Sequence, residues 1–259
     1  MKRNYHTHTS RCKHASGTER EYIEAAIKAG YDILGFSDHT PWHYENGYTS
    51  NIRMHENELE NYINTVKSLK EEYKDKIEIK IGLESEFFPS KMDWIKDIYS
   101  KYKLDYLIFG NHYLYIDKSE NGKYAGHLET DEDFQTYVDL CIEGMKTGLY
   151  GYLAHPDLMY KSNPDFSLEK YSKQIIKYAV ENNIILEYNL AGKEEFDRAF
   201  YPNPEFWELA GASKIKAIIG VDAHDANSIA DSRLYNEAKA YLESIGCYVC
   251  NDYDFEEIF

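Results

Sequence analysis

The sequence predicts an α/β fold in which parallel strands alternate with helices. Seven short runs of apolar or β-branched residues recur along the chain, and stretches with helical periodicity lie between them. No internal repeat, low-complexity tract or linker rich in Pro, Gly or Ser divides the 259 residues. We therefore expect one domain over residues 1–259. Regular βα units of this kind are typical of a barrel or a doubly wound sheet.

The predicted strands follow one another in chain order. They are residues 4–9, 32–37, 77–83, 104–109, 151–154, 184–189 and 217–221. Each run is short and bounded by polar or turn residues, as expected for a strand in a parallel sheet.

Helix boundary signals lie between these runs. Thr18 followed by Glu21 has the spacing of a capping box, and Thr130 stands before an acidic first turn. Asn203 precedes a proline, which favours the first position of a helix. Gly30 stands where the first helix would end. These signals predict that helices separate the strands.

The composition restricts the classes of partner. Lys and Arg number 29 and Asp and Glu 45, so the formal net charge is -16. Such a chain repels a nucleic-acid backbone, and no nucleic-acid partner is expected. There is no apolar run of about 18 residues and no apolar leader, so a cytoplasmic protein without a membrane partner is expected.

The four cysteines are too few and too scattered for a disulfide framework, and reduced thiols are expected. They are Cys12, Cys141, Cys247 and Cys250. The last two form a single CxxC, which is weak evidence for a redox or zinc role; two thiols in the last strand-like segment are the favoured interpretation.

Histidines and carboxylates stand at the ends of the predicted strands. His6 and His8 are two residues apart on an extended run, so both imidazoles point to the same face. Asp222 and His224 repeat this spacing after the seventh run. Because the carboxyl ends of the strands meet at one edge of such folds, we expect the two pairs to lie close together.

Nine side chains make up this set. They are His6, His8, His14, His39, Glu84, His112, His155, Asp222 and His224. Packing alone does not explain so many converging imidazoles, since each buried ring needs a polar partner. Imidazole and carboxylate suit zinc, iron or manganese, and nine donors exceed what one tetrahedral ion uses. Two to three divalent metal ions are therefore predicted.

The remaining three histidines are His43, His55 and His127, which stand in loop or helix-start contexts. We expect ordinary solvated side chains there.

The motifs that carry these residues resemble the PHP superfamily, and within it the histidinol-phosphate phosphatase branch. They are HTHTSRCKH, GFSDHTP, GLESEFFP, LIFGNHYL, YLAHPDL, LEYN and IIGVDAH, in this order over nearly the whole chain. The resemblance implies a distorted (βα)7 TIM-like barrel with a trinuclear metal site. It implies one ion at His6, His8, Glu84 and Asp222, a second at Glu84, His112 and His155, and a third at His14, His39 and His224.

Two arginines are candidate substrate ligands. Arg198, in the loop after the sixth run, resembles the family's phosphate-binding arginine, although an acidic stretch precedes it. A guanidinium fork there could hold two phosphate oxygens. Arg53 is a second candidate, in a long aromatic loop that contains Trp42, Tyr44 and Tyr48 and could form a lid.

The resemblance implies a phosphoric monoester hydrolase that releases L-histidinol and phosphate from L-histidinol phosphate, as in histidine biosynthesis. Arg198, Asp222 and Glu84 would then be catalytic, and the partner a small phosphorylated metabolite. One alternative is a phosphoesterase acting on another small phosphate ester or a short nucleotide. A second, of a different class, is a metal-binding module without catalysis. The sequence leaves the native metal, the oligomeric state and the residues that contact the leaving group open.

Overall fold

Eight parallel strands form one sheet in a computed structural model that describes residues 1–44, 47–116, 122–159, 167–194, 201–250 and Phe255. Each strand pairs with the next one along the chain. The strands are β1 (Arg3–Asn4), β2 (Ile33–Phe36), β3 (Glu78–Ser85), β4 (Tyr106–Gly110), β5 (Leu153–Ala154), β6 (Leu186–Asn189), β7 (Lys216–Gly220) and β8 (Tyr248–Val249).

Helices connect successive strands, which is the arrangement that parallel pairing requires. Over the described ranges they are α1 (Glu19–Lys28), α2 (Leu59–Tyr73), α3 (Met92–Tyr102), α4 (Asp131–Lys146), α5 (Glu169–Glu181), α6 (Ala191–Glu194), α7 (Pro204–Ala212), α8 (Ala226–Ala230) and α9 (Ser232–Ser244). None of these helices is long and apolar enough to cross a membrane.

The boundary signals read from the sequence are confirmed. Thr18 and Glu21 form a complete capping box at α1, and Thr130 caps α4 in the same way. The side chain of Asn203 accepts hydrogen bonds from the first turn of α7. Gly30 has a φ of +75°, a left-handed conformation that ends α1 without the penalty a side chain would bring.

The sheet curls until the exits of β1 and β7 touch. Thr7, beyond β1, forms a parallel bridge with Ala223, beyond β7. The backbone N–H of His8 donates to the carbonyl of Ala223 at 2.9 Å, and the side-chain oxygen of Asn4 accepts from the N–H of Val221 at 2.9 Å. The expected meeting of these two strand ends, and with it the α/β barrel class, is confirmed.

The sheet has one strand more than the seven predicted. β8 has two residues and pairs with the beginning of β7, where Lys216 is the partner of Tyr248. The sequence marked the segment of Cys247 and Cys250 as strand-like but did not count it as an eighth strand. Cys247 and Cys250 flank β8, and all four cysteines are free thiols.

Apolar side chains pack on both faces of the sheet. Leu107 and Phe109 of β4 belong to the large cluster shared with the helices, whereas Tyr106 and Ile108 face a smaller cluster that includes Phe255. This alternation is what a strand buried on both faces produces. The hydroxyl of Tyr106 donates to the carbonyls of Tyr5 at 2.7 Å and Phe36 at 3.0 Å. The polar strand ends therefore lie on a closely packed apolar base.

Candidate metal centre

Four of the predicted ligands, from three strand ends, converge on one point. The Nε2 atoms of His6 and His8 lie 3.1 Å apart. Glu84, in β3, places Oε2 3.4 Å from both nitrogens. Asp222, after β7, places Oδ1 3.3 Å from Nε2 of His6 and 3.0 Å from Nε2 of His8. All four side chains are buried.

These separations match the spacing of donors around a tetrahedral cation. Bonds of about 2.0 to 2.1 Å place the donors of a tetrahedral zinc site roughly 3.3 Å apart. Within the described part of the chain, Oε2 of Glu84 and Oδ1 of Asp222 have no hydrogen-bond partner although both are buried. Buried acceptors that face imidazole nitrogens without such a bond are a donor set that fits a divalent metal.

The second oxygen of Glu84 faces another pair of histidines. His155, after β5, has Nε2 2.8 Å from Oε1 of Glu84, and Nε2 of His112, after β4, lies 3.3 Å from the same oxygen. Glu84 therefore stands between two donor groups. This is the arrangement of a carboxylate that bridges two cations.

The third predicted group is more spread out. Nε2 of His14 and Nε2 of His224 lie 2.9 Å apart, whereas Nδ1 of His39 lies 2.9 Å from Oε2 of Glu84. The donor atoms of His8, His39 and His224 lie within 4.8 Å of one another. The structure therefore places His39 between the first group and the third.

Two of the nine residues have unusual backbone conformations. The φ of His155 is 28° and that of Asp222 is 51°, which is uncommon for any residue with a side chain, although Asp and His adopt it more readily than most. Conformations of this kind persist only where the surrounding contacts hold them, and they gather at functional sites. The polypeptide is therefore strained where it presents these donors.

The electrostatics of the donor histidines are divided. Burial alone would lower the pKa of His6 and of His155, but the neighbouring carboxylates outweigh it and raise both. Burial and the neighbouring His39 lower the pKa of His8 well below its usual value, and burial lowers the pKa of His39 to about 3. Burial alone would raise the pKa of Asp222, but His6 and His8 outweigh it and hold this pKa well below its usual range. Metal ligation requires such neutral imidazoles and ionised carboxylates.

Comparison with known proteins assigns this arrangement to a family. A family model described as PHP domain matches residues 4–191, which is more than half of the chain. The chain belongs to the PHP domain family. The recognition made from the sequence motifs is thereby confirmed.

Individual relatives span nearly the same length. A protein of Deinococcus radiodurans named "Probable histidinol-phosphatase" is 29% identical over 230 residues, 86% of each chain. The histidinol-phosphatase of Bacillus subtilis is 26% identical over 267 residues, which cover 88% of this chain and 96% of its own. Among solved structures, the histidinol phosphate phosphatase of Lactococcus lactis, complexed with zinc, L-histidinol and phosphate, has a TM-score of 0.68 at 18% identity and covers 96% of this chain and 95% of its own. That likeness shows a common fold.

The PHP domain also carries polar residues in β6 that the sequence reasoning did not assign. Glu187 accepts from the backbone N–H of His155 at 3.2 Å, and its Oε1 lies 2.9 Å from Nδ1 of His6. The amide of Asn189 donates to Glu187 at 2.9 Å and to Oδ2 of Asp222 at 3.0 Å. Both residues lie in the LEYN motif, and their alternation along a buried strand was the available signal.

Glycines at two strand ends make room for buried carboxylates. A Cβ atom on Gly110 would overlap the carboxylate of Glu84, and one on Gly220 would overlap that of Glu187. A side chain at either position would displace a buried carboxylate, so packing requires glycine there. The carboxylates lie directly over the adjacent strand.

A cavity of about 390 Å³ opens above the donors. His14, His39, His112, Asp222 and His224 line it, together with Ile52, Tyr113, Tyr124, His127, Ala191 and Tyr201. The aromatic wall and His127 were missed. Tyr113 directly follows His112 after the fourth strand, which was an available signal, whereas Tyr124, His127 and Tyr201 are far from any strand end in the sequence. His127 is exposed, as predicted, but it lies at the cavity and not on a remote surface.

The two predicted substrate ligands have different outcomes. Arg198 lies outside the described residues. Arg53 is fully buried and its guanidinium pairs with Glu86, so it is not among the residues that line the cavity. Substrate binding by Arg53 stays a prediction.

The aromatic loop has both buried and exposed side chains among its described residues. Trp42 is buried against Phe88 and Trp94, with ring centroids 5.4 and 5.7 Å away. Ile52, farther along the same loop, lines the cavity, and a lid formed by this loop stays a prediction. Tyr44 and Tyr48 contact each other at a centroid distance of 5.0 Å.

Proposed function

We propose that this protein is a metal-dependent phosphatase that hydrolyses L-histidinol phosphate to L-histidinol and phosphate. The observation that carries the proposal is the convergence of nine donor side chains at the floor of one cavity. The names of the relatives support the choice of substrate, because proteins that match over most of this chain are called histidinol-phosphatases. The Lactococcus lactis enzyme of the same fold holds L-histidinol, phosphate and zinc.

We propose two to three divalent ions as cofactors, zinc, iron or manganese. His6, His8, Glu84 and Asp222 would hold one, Glu84 with His112 and His155 a second, and His14, His39 and His224 a third. Ions held there supply the positive charge that a phosphoryl group needs as negative charge develops on its oxygens.

The chain itself contributes placement and protonation states. Asp222 lines the cavity while Asn189 holds its Oδ2, so this carboxylate is fixed where a substrate would enter. Glu84 is buried beneath it and contacts both donor groups. We assign catalytic roles to Asp222 and Glu84 on this basis. Arg198 is proposed to bind the phosphate oxygens through its guanidinium fork.

The partner in this proposal is a small phosphorylated metabolite. A cavity of about 390 Å³ is in the size range of sites for small ligands. Its floor of imidazoles and carboxylates is suited to a phosphate group only when cations are present.

The test is a steady-state comparison on protein of measured metal content. L-histidinol phosphate should give a kcat/KM at least about 100-fold above those of nucleoside and sugar monophosphates, a difference of roughly 2.7 kcal/mol in transition-state binding. Equal efficiencies across the panel would favour a phosphoesterase for another small ester. Metal-loaded protein without turnover of any ester would indicate a binding module.

A further inference from the structure

A second buried carboxylate lies two residues beyond Glu84 on the same strand exit. Glu86 is 0% exposed, and four donor atoms surround its two oxygens. Nδ1 of His112 lies 3.3 Å from Oε1. The indole N–H of Trp42 donates to Oε2 at 2.9 Å. Arg53 donates to Oε2 at 3.0 Å through Nη1 and also contacts Oε1 through Nη2.

These contacts determine which ring nitrogen of His112 carries the hydrogen and which carries the lone pair. The partners of Glu86 are all donors, so its carboxylate acts only as an acceptor and Nδ1 of His112 must carry the hydrogen. The lone pair is then on Nε2, which is the atom that lies 3.3 Å from Oε1 of Glu84. Glu86 therefore selects the imidazole tautomer that directs a free lone pair into the donor cluster.

Arg53 and Trp42 hold Glu86 in turn. A buried carboxylate with no cationic partner is strongly unfavourable, and the guanidinium fork of Arg53 balances its charge. Arg53 also donates to the backbone carbonyl of Thr40 at 3.3 Å, which ties the loop after β2 to the exit of β3. The hydroxyl of Tyr150 donates to the backbone carbonyl of Glu86 at 3.0 Å.

We propose that Glu86 is a positioning residue of the metal centre, which fixes the tautomer and direction of His112, and that Arg53 and Trp42 position Glu86. The inference rests on the metal centre of the proposed function but not on the identity of the substrate. Partners of this kind behind a ligand histidine alter metal affinity by roughly 10- to 100-fold when they are changed.

The experiment compares Glu86→Gln with Glu56→Gln in the full chain loaded with zinc. Glu56 is a matched control because its Oε2 likewise lies close to a histidine, 2.7 Å from Nδ1 of His43. The side chains of Glu56 and His43 are about half exposed, and neither residue lines the cavity. Zinc content is measured after dialysis against graded chelator, with circular dichroism to verify folding. We expect Glu86→Gln to lose one ion at about 10- to 100-fold lower chelator strength, whereas Glu56→Gln matches the parent.

A second measurement reads the tautomer directly. In the zinc-loaded parent, histidine NMR should show an Nδ1–H proton on His112 that exchanges slowly with water, and in Glu86→Gln this proton should shift and exchange faster. If Glu86→Gln does not fold, Trp42→Phe removes one donor to Glu86 and keeps both charges, and a smaller change in the same direction is expected.

The outcomes separate the two proposals. Zinc affinity and His112 proton exchange that are unchanged in folded Glu86→Gln would refute the positioning role and leave the phosphatase intact. A parent that binds no zinc and still hydrolyses substrate would refute the metal centre itself. Selective loss of one ion, with the same pattern of ester preferences, supports the positioning role even if L-histidinol phosphate is not the preferred substrate.

Discussion

At the scale of single residues, Asp222 combines three features that seldom coincide. It is strained at a φ of 51°, it lies 3.0 Å from Nε2 of His8, and it lines the cavity. A carboxylate with its pKa held well below the usual range stays ionised over the whole physiological range. These features favour a role in the reaction over a role in stability.

Replacing this carboxylate should therefore abolish most of the activity. Asp222→Asn keeps the shape and removes the charge, so we expect kcat/KM to fall more than about 100-fold, beyond the effect typical of residues behind the ligands. Asp93→Asn, at an exposed position in the first turn of α3, should match the parent. Unchanged turnover in folded Asp222→Asn would contradict the catalytic assignment.

Asn189 offers a second test at this scale. Its amide donates to the carboxylates of Glu187 and Asp222. An aspartate at this position cannot donate, so its own carboxylate oxygen would face the oxygens of Glu187 and Asp222. Asn189→Asp is nearly isosteric and introduces like-charge repulsion, and we expect a roughly 10- to 100-fold loss of kcat/KM with reduced zinc content. An Asn189→Asp protein with parental zinc content and kcat/KM would show that the amide has no part in holding Asp222.

At the scale of elements, strand β4 must end in a glycine because Glu84 lies over it. Gly110→Ala would push a methyl group into that carboxylate, which is held by His155 and lies in a closely packed wall. We expect activity and zinc content per folded molecule to fall at least about 10-fold.

The control for this change is another glycine of the sheet. A Cβ on Gly82 would overlap the ring of Tyr106, so Gly82→Ala should lower Tm through overpacking of the core while the folded fraction keeps its zinc. If the two variants lost zinc equally at equal Tm, general destabilisation would explain both, and the special role of Gly110 would be wrong.

Helix α4 provides a prediction about pH. Partial burial alone would raise the pKa of Asp133, but Lys123 at 2.7 Å and the N–H of Thr130 at 2.9 Å outweigh it and lower this pKa to about 2. A lowered pKa contributes stability above the unfolded value, near 4, that is lost as the pH falls toward 2. Because solvent screens a group near the surface, Asp133→Asn should lower the unfolding free energy by only about 1 kcal/mol at pH 7 and by less at pH 2.

Urea unfolding at the two pH values measures this difference. Glu132→Gln, the neighbouring exposed acid in the same first turn, is the control and should lose only a few tenths of a kcal/mol. An Asp133→Asn deficit that is the same at pH 2 and pH 7 would contradict an electrostatic cap.

Elements also show how far the sequence alone reaches. Short apolar runs located the first seven strands, and polar residues after those runs located the donors, because both signals are local. Glu86 was missed although it stands two residues from Glu84, because its partners Trp42, Arg53 and His112 come from three separate segments. The sequence offered Arg53 as a candidate substrate ligand and did not show its ion pair with Glu86, for the same reason. The partner of Arg53 is Glu86, which lies after β3 and outside the loop that contains Arg53.

At the scale of the whole molecule, the candidate metal centre forms only when the sheet folds. Donors from the exits of β1, β3 and β7 lie within 3.4 Å of one another only when the sheet has curled. The unfolded chain has no such preformed site, so a metal that binds this centre binds the folded state and stabilises it. The formal charge of -16 adds to this effect, since cations reduce the self-repulsion of an acidic chain.

Metal removal should therefore lower both activity and stability. At free zinc about 100 times the Kd, linkage contributes about 2.7 kcal/mol, which for a chain of this length corresponds to roughly 5–10 °C in Tm. Calorimetry after exhaustive chelation, and again after zinc is returned, measures the shift, and hydrolysis of a phosphate ester should disappear and recover with it. Asp222→Asn should show a smaller shift because one ligand is weakened. Protein that keeps its Tm and its activity with no residual metal would exclude a metal centre. Hydrogen bonds among the nine side chains would then be enough to hold the cluster together.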